Sequence, residues 1–235
     1  MNCRYCFYRR HPPGRMSDIL AVRMVNSYMA LPMLDHEICF QGGEPLLLPR
    51  SFYECLDLFG CAVSVQTNAT LITPEWAEFF ARKRWLVGVS LDGSPKVNDV
   101  TRGKTSEAMR GIRLLERYGA DYSILCVVSR ENVGEPEATD RYLRDNFSAP
   151  FRQYIRCAAE VSLLEYREFA CRVGYELPER CCGSYLVVEH DGSVYPCDFY
   201  VADEWRLGNI SEDSWESLRD SALYRKFQNR VCEMF

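Results

Sequence analysis

A chain of 235 residues, 47% of them hydrophobic and 26% charged, is long enough for one large domain or a domain and a half around a real core, which excludes a disordered chain. Its 28 lysines and arginines against 33 acidic residues give a net charge of −5, so nucleic acid has no electrostatic basis as the main partner. The longest uncharged run, 58–74, contains Gln66, Asn68 and three threonines and does not make a span of about 18 apolar residues; no membrane role is expected, and a soluble, cytoplasmic protein is.

Cys3 and Cys6 open the chain as a C-x-x-C pair. Twelve cysteines is a high count, and no charged-then-apolar secretory segment precedes them. Reduced thiols kept for packing, nucleophilic catalysis or metal are therefore expected over a disulfide framework. By itself the pair reads as a redox couple, part of a zinc knuckle or part of an iron–sulfur ligand set, and no second C-x-x-C completes a zinc site.

Helix-like patterning follows over 17–30, then a strand over 37–40 that runs into Gln41-Gly42-Gly43-Glu44-Pro45. A helix over 50–59 leads to a strand over 62–66 before Thr67-Asn68, and a helix over 74–84 leads to a strand over 86–91 before Asp92-Gly93. Helix 106–118, strand 122–128, helix 135–146 and strand 151–155 complete the series, with 130–136 reading as a linker-like loop. Cys39, Cys55, Cys61 and Cys126 lie in apolar stretches and are expected to pack as small buried hydrophobes. Sustained β-α alternation implies a parallel sheet with right-handed crossovers, and strands buried on both faces explain a near-continuous run such as SILCVV. Functional residues then belong just past the strand C-termini, where the glycine and asparagine clusters fall; each cluster alone also reads as a plain turn. Beyond about Glu160 a second, β-rich unit begins, with a hairpin of 185–189 and 194–196 around His190-Asp191-Gly192-Ser193.

Taken in order, MNCRYCFYRR, FQGGEPLLL, VQTNATLI, VGVSLDGSPKVND and YLVVEHDGSVYPCDFYVADEWRLGNI resemble the motifs of a radical S-adenosylmethionine enzyme. The resemblance is to the anaerobic sulfatase-maturating enzymes, which carry a C-terminal auxiliary iron–sulfur domain of the SPASM type, and it covers nearly the whole chain. It implies an α/β fold: a partial (β/α)6 TIM-like radical SAM barrel lacking its first strand, over 1–160, followed by a small, incomplete SPASM-type auxiliary domain, over 161–235. It also implies a [4Fe–4S] cluster and S-adenosyl-L-methionine as cofactors, with Cys3 and Cys6 as metal ligands. By the same resemblance Tyr5 packs beside the adenine and Tyr8 lies near the substrate or cluster edge. Gln41 matches the family's active-site glutamine, with Gly42, Gly43 and Glu44 beside it in the cofactor loop; a Cβ at the glycines would obstruct the methionyl amine. Ser90 is either a ribose or carboxylate contact or a cap. Asp198 inherits the role of the base that deprotonates the target side chain, the bland alternative being a carboxylate that bonds turn amides.

The chain departs from the family at both ends. The loop C-x-x-x-C-x-x-C would place its first cysteine two residues before Met1, and the barrel's first strand is missing with it. A clipped or internal start explains both, and a cluster-free relative is the competing account; with one ligand short, the enzyme is expected to be impaired as given. In the second unit Cys182 and Cys197 match auxiliary-cluster ligands, Cys181 or Cys171 would replace the cysteine not found near Glu176, and Cys232 would begin a further ligand group that the chain does not complete.

The resemblance implies oxidation of a cysteine or serine of a sulfatase to formylglycine, with a protein or peptide substrate and an electron donor such as flavodoxin or ferredoxin. Another SPASM-type peptide maturase, forming a thioether or carbon–carbon crosslink, is the alternative enzyme, and a remnant that only binds a partner is the alternative from another class. No Ser-His-Asp order, Walker loop or H-E-x-x-H motif supports a hydrolase or nucleotide-triphosphate reading.

Overall fold

In a computed structural model, which describes residues 2–6, 8, 11, 13–177 and 183–229, the strand runs pair as the alternation requires. β1 (His36–Phe40), β2 (Cys61–Thr67), β3 (Leu86–Ser90), β4 (Tyr122–Val128) and β5 (Arg152–Arg156) form one all-parallel sheet in sequential order. The register aligns Cys39 with Ser64, Gln66 with Gly88, Ser90 with Leu125 and Val127 with Ile155. Sequential parallel order is the curled arrangement of a partial barrel, with the helices on the outside.

The helical crossovers start where capping chemistry lets them. α1 (Asp18–Met29) begins at Ser17, whose hydroxyl accepts from the Leu20 amide, and α3 (Pro74–Lys83) begins at Thr73 with Pro74 in the first helical position. α2 (Arg50–Glu54) is shorter than the 50–59 expected. α4 (Pro95–Thr101) was unexpected from the sequence, and α5 (Thr105–Tyr118) and α6 (Pro136–Asn146) follow the expected spans closely. α7 (Leu163–Val173) opens on a reciprocal Ser162–Glu165 capping box and closes at Gly174. Tyr166 and Phe169 of α7 belong to the same apolar core as Val87, Val89, Ile124 and Leu143.

α5 meets the turn after β2 at Gly111, where an added Cβ would collide with the Ala69 carbonyl oxygen. Gly→Ala inside a helix ordinarily stabilises by roughly 0.5–1 kcal/mol. Here the obstacle is backbone, so Gly111→Ala is expected to destabilise by about 1–3 kcal/mol, read as a lower urea midpoint; a gain in stability would refute this close contact.

Asp140 on α6 fastens that helix to β5. Its carboxylate accepts from Tyr154 Oη at 2.7 Å and Arg152 Nε at 3.0 Å and pairs with Arg144. Burial pushes its carboxyl up, but these hydrogen bonds outweigh it and hold the group below its ordinary value. A folded-state value below the unfolded one adds stability that is present above the unfolded carboxylate range and lost as pH falls through the folded value. Asp140→Asn is expected to cost about 1–3 kcal/mol near pH 7 and to differ less from wild type below about pH 3, as read by urea unfolding at the two pH values.

The second unit is built on β6 (Val187–Val188), β7 (Ser193–Tyr195) and β8 (Gly208–Asn209), an antiparallel sheet of that order. α8 (Trp215–Arg219) and α9 (Ala222–Gln228) follow it. Val194, Ile210, Trp215 and Leu218 form a second small core, against which Leu20, Met24 and Tyr28 of α1 also pack. Because Ala21 and Val25 of the same helix sit in the main core, α1 is apolar on two faces and joins the units. The Trp215 indole N–H donates to Ser27 Oγ at 2.9 Å across that junction. Tyr28 Oη also bonds both the amide and the carbonyl of Glu37, each at 3.1 Å, covering part of the exposed edge of β1.

Candidate functional site

The two faces of the sheet differ in kind. Val63, Val65, Val87, Val89, Ile124, Cys126 and Tyr154 are buried in the main core. Glu37, Cys39, Ser64, Gln66, Ser90 and Gln153 alternate with core-facing residues along their strands and make the concave face polar. This corrects one expectation: Cys126 is buried, but Cys39 and Cys55 are exposed and Cys61 is half-buried. For Cys39 the reason is register, since the strand alternates and the thiol falls on the polar row.

At the strand C-termini the expected loops come together. Gly42 has φ +132°, in the region that favours glycine, and a Cβ built on it would face the Tyr8 ring at 3.7 Å. A Cβ on Gly43 would meet no described atom within 4 Å, so that residue borders open space, and Gln41 just before it is exposed. Glu44 turns away into the fold. Its carboxylate accepts from Thr67 Oγ1 at 2.6 Å and from the amides of Asn68 and Leu46 at 3.0 and 3.1 Å, tying the β1 loop to the β2 loop. Ser90 Oγ accepts from Gln66 Nε2 at 2.9 Å. Gln66 lies over Gly88, as its register partner, and orients the Ser90 hydroxyl.

Cys3 and Cys6 stand in one turn, closed by a hydrogen bond from the Cys6 amide to the Cys3 carbonyl at 3.1 Å. Both are partly exposed. Burial pushes the Cys3 thiol up while the Arg102 guanidinium opposes that shift. Tyr5, between them, gives its hydroxyl to Asp92, and Arg4 pairs with Glu131 and Glu160 at 2.8 and 3.0 Å. Asp92 stands in a strand-end cluster read from the sequence but was given no role; Arg102 was not singled out, nor was Asn132, whose amide donates to the carbonyls of Asp92 and Val127, each at 3.0 Å. The loop expected to be linker-like is therefore ordered around a buried asparagine.

From the second unit comes Asp198, on a short 3₁₀ turn, Asp198–Tyr200, that begins after Cys197. Tyr185 Oη donates to Asp198 Oδ1 at 2.7 Å and lies 3.4 Å from Cys197 Sγ. Burial pushes the Cys197 thiol up to about 12 and the Tyr185 phenol up as well. Burial first, then Glu189, Asp198, Cys39 and Cys6, push the Tyr8 phenol up. The Tyr8 ring packs on His11 with centroids 4.1 Å apart, and His11 Nδ1 is 3.0 Å from Glu189 Oε1. The His190 ring occupies the space in which a side chain at residue 14 would stand. Cys181, Cys182 and Cys232 lie outside the described residues, and Cys171 is exposed on α7.

The residues present suit the cofactors named by resemblance. Two thiols in one turn form a half ligand set, and Tyr8, two residues after Cys6, faces Gly42, next to which Gly43 leaves the open space that a Cβ would fill. Among the described residues no group of three or more His, Cys, Asp or Glu is arranged around one point, so the thiols described here supply part of any cluster's ligands. Among them, too, no helix is long and apolar enough to cross a membrane.

Comparison with known proteins gives the same assignment. The radical SAM superfamily model matches residues 1–143, and that of an iron–sulfur cluster-binding domain, SPASM, matches residues 180–234. The cysteine-type anaerobic sulfatase-maturating enzyme of Clostridium novyi (strain NT) is 28% identical over 97% of this chain and 78% of its own length. The serine-type enzyme of Klebsiella aerogenes is 28% identical over 96% of this chain and 70% of its own. Among solved structures, native anSMEcpe with bound AdoMet and Cp18Cys peptide superposes with a TM-score of 0.87 at 27% identity, covering 99% of this chain and 81% of that one. Streptococcus suis SuiB bound to precursor peptide SuiA shares the fold, with a TM-score of 0.79 at 14% identity, covering 98% of this chain and 64% of that one. With a glycine cradle and a C-x-x-C turn at the end of a curled parallel sheet, and a superfamily match over more than half of its length, the chain belongs to the radical SAM superfamily: an enzyme whose cofactors are S-adenosylmethionine and iron–sulfur clusters.

Proposed function

We propose that this enzyme oxidises a cysteine or serine side chain of a sulfatase to formylglycine, with Asp198 as the base. The observation that carries the reading is a run of contacts from the β1 loop to the second unit: Tyr8 faces Gly42 and packs on His11, and His11 Nδ1 lies 3.0 Å from Glu189 Oε1, nine residues before Asp198. When bound, S-adenosylmethionine and its cluster would supply the hydrogen-abstracting radical, and the protein supplies geometry. Cys3 and Cys6 would hold iron, and Gly42 and Gly43 would let the backbone approach the methionyl group. Ser90, fixed by Gln66, would offer its hydroxyl to the nucleoside or carboxylate part. Glu44 orients the loop through Thr67 and Asn68.

Asp198 has the properties of a held base. Its Oδ1 is oriented by the Tyr185 hydroxyl, and a carboxylate has further lone pairs with which to accept a thiol or hydroxyl proton. Tyr8 would stand at the substrate's edge, and the polar row of Ser64, Gln66 and Gln153 suits an extended peptide's amides. Support for the substrate class comes from the relatives, which are sulfatase-maturating enzymes of both the cysteine and the serine type.

The test is anaerobic incubation, with iron, sulfide, S-adenosylmethionine and a low-potential reductant such as reduced flavodoxin, of paired sulfatase peptides that carry cysteine or serine at the target position. Mass spectrometry should detect formylglycine in at least one of them. Adenosyl product without modified peptide, or a crosslinked peptide in place of an aldehyde, would overturn the reading.

A further inference from the structure

We propose that Asp92 and Arg102 are positioning residues, a buried ionic anchor that holds the Cys3–Cys6 turn in place before any iron arrives. The inference rests on the reading of Cys3 and Cys6 as ligands, and its test is made in metal-free protein so that the two can fail separately.

Asp92 follows β3 and is fully buried; Arg102 closes α4 with its side chain 7% exposed, and Arg102 Nε lies 2.9 Å from Asp92 Oδ1. A buried ion pair stabilises a fold little, because desolvation offsets most of the attraction, so its presence asks for another explanation. The surroundings supply one. The barrel fixes Asp92 from behind: the Val127 amide donates to Oδ1 at 2.9 Å, Thr101 Oγ1 donates to Oδ2 at 2.7 Å, and Asn98 and Asn132 hold its backbone N–H and C=O at 3.0 Å each. What is left of the pair is directed at the N-terminal turn. Tyr5 gives its hydroxyl to Asp92 Oδ2, and the Arg102 guanidinium carbon lies 5.3 Å from the centre of the Tyr5 ring. The Arg4 amide donates to the Thr101 carbonyl at 2.9 Å, one residue before Arg102.

Three ties therefore run from Asp92 and the end of α4 to the two residues between the cysteines. The turn has only one internal backbone hydrogen bond among the described residues, Cys6 to Cys3, so its shape is imposed from outside. Ligands held in advance lose less freedom when metal binds, the general advantage of a site backed by a rigid shell.

The measurement is trypsin cleavage after Arg4 in metal-free protein, followed by mass spectrometry, with circular dichroism reporting the fold. Tyr5→Phe removes only the hydroxyl tie and leaves the ion pair in the barrel intact. Arg102→Met removes the cation, and the double variant Arg102→Met with Asp92→Asn removes both charges so that neither is stranded. Each is expected to be cut at least about fivefold faster than wild type, since local opening governs cleavage. Arg102→Lys keeps a cation beside Asp92 and is expected to restore at least about half of the lost protection. If Arg102→Met alone does not fold, the Tyr5→Phe and double variants carry the test. Wild-type cleavage rates in those two folded variants, or an Arg102→Lys protein cut as fast as the folded charge-free one, would overturn the anchor. Failure of Cys3 and Cys6 to take up iron would instead leave the cleavage pattern as described and refute only their role as ligands.

Discussion

Asp198→Asn is expected to go on releasing adenosyl product from S-adenosylmethionine while forming about 10²-fold less formylglycine, the scale of a removed general base. The separation follows from the architecture. On the proposed reading radical initiation depends on the Cys3–Cys6 turn and the Gly42-Gly43 loop, which belong to the barrel, whereas Asp198 lies on a turn of the second unit. Asparagine keeps the shape and can still accept the Tyr185 hydroxyl through its amide oxygen, so the turn that carries the residue is retained. What it cannot do near neutral pH is take up a proton. Both products are to be measured by mass spectrometry in the same anaerobic reaction. Equal yields of modified peptide from wild type and variant would assign Asp198 to turn structure and move the search for the base to Tyr8 or a bound water. Tyr8 starts at a disadvantage in that search, because burial and the neighbouring carboxylates keep its phenol protonated.

β2, β3 and β4 were legible because each is a short apolar or β-branched run that stops at a turn residue, and the parallel order followed from the helices between the strands. β4, buried along most of its length, shows why: Tyr122, Ile124, Cys126 and Val128 face the helices, while Leu125 and Val127 are only partly open on the other side. β1 was harder to read. His36, Ile38 and Phe40 alternate with Glu37 and Cys39, so the run looked apolar only when the cysteine was counted with the hydrophobes. Its alternation was the signal that Cys39 faces the polar side. α4 was missed because Gly93 and Ser94 suggested a loop, although Pro95 in the first helical position is itself a start signal.

The site divided along similar lines. Residues fixed by a motif, such as Gln41, Gly42, Gly43 and Ser90, could be named before the fold was known, and the structure places them at the strand C-termini. Glu44 shows the limit of that method, since the motif marks the residue but not that its carboxylate accepts from Thr67 and Asn68. Asp92 falls within a quoted motif but without a role, and Arg102 lies beyond it, on the far side of a helix whose existence was not foreseen. Only packing reveals that both are buried and that Tyr5 ends on them.

The two adjacent glycines of the β1 loop should respond to the same substitution in opposite ways. Gly43→Val is expected to leave the urea midpoint close to wild type, within about 0.5 kcal/mol, because a side chain there meets no described atom within 4 Å and the residue has no left-handed φ. The same open space is where the cofactor would approach, so S-adenosylmethionine binding should weaken by about tenfold or more, equivalent to at least about 1.4 kcal/mol. Gly42→Val meets the reverse situation. At φ +132° a β-branched residue is strained by about 1–3 kcal/mol, and its Cβ would press toward the Tyr8 ring 3.7 Å away, so stability should fall and Tyr8 should shift with it. Calorimetry of S-adenosylmethionine binding and urea unfolding, run on both variants, separate the two effects. Unchanged binding in a stably folded Gly43→Val protein would remove this loop from the cofactor site, whatever Gly42→Val does to the fold.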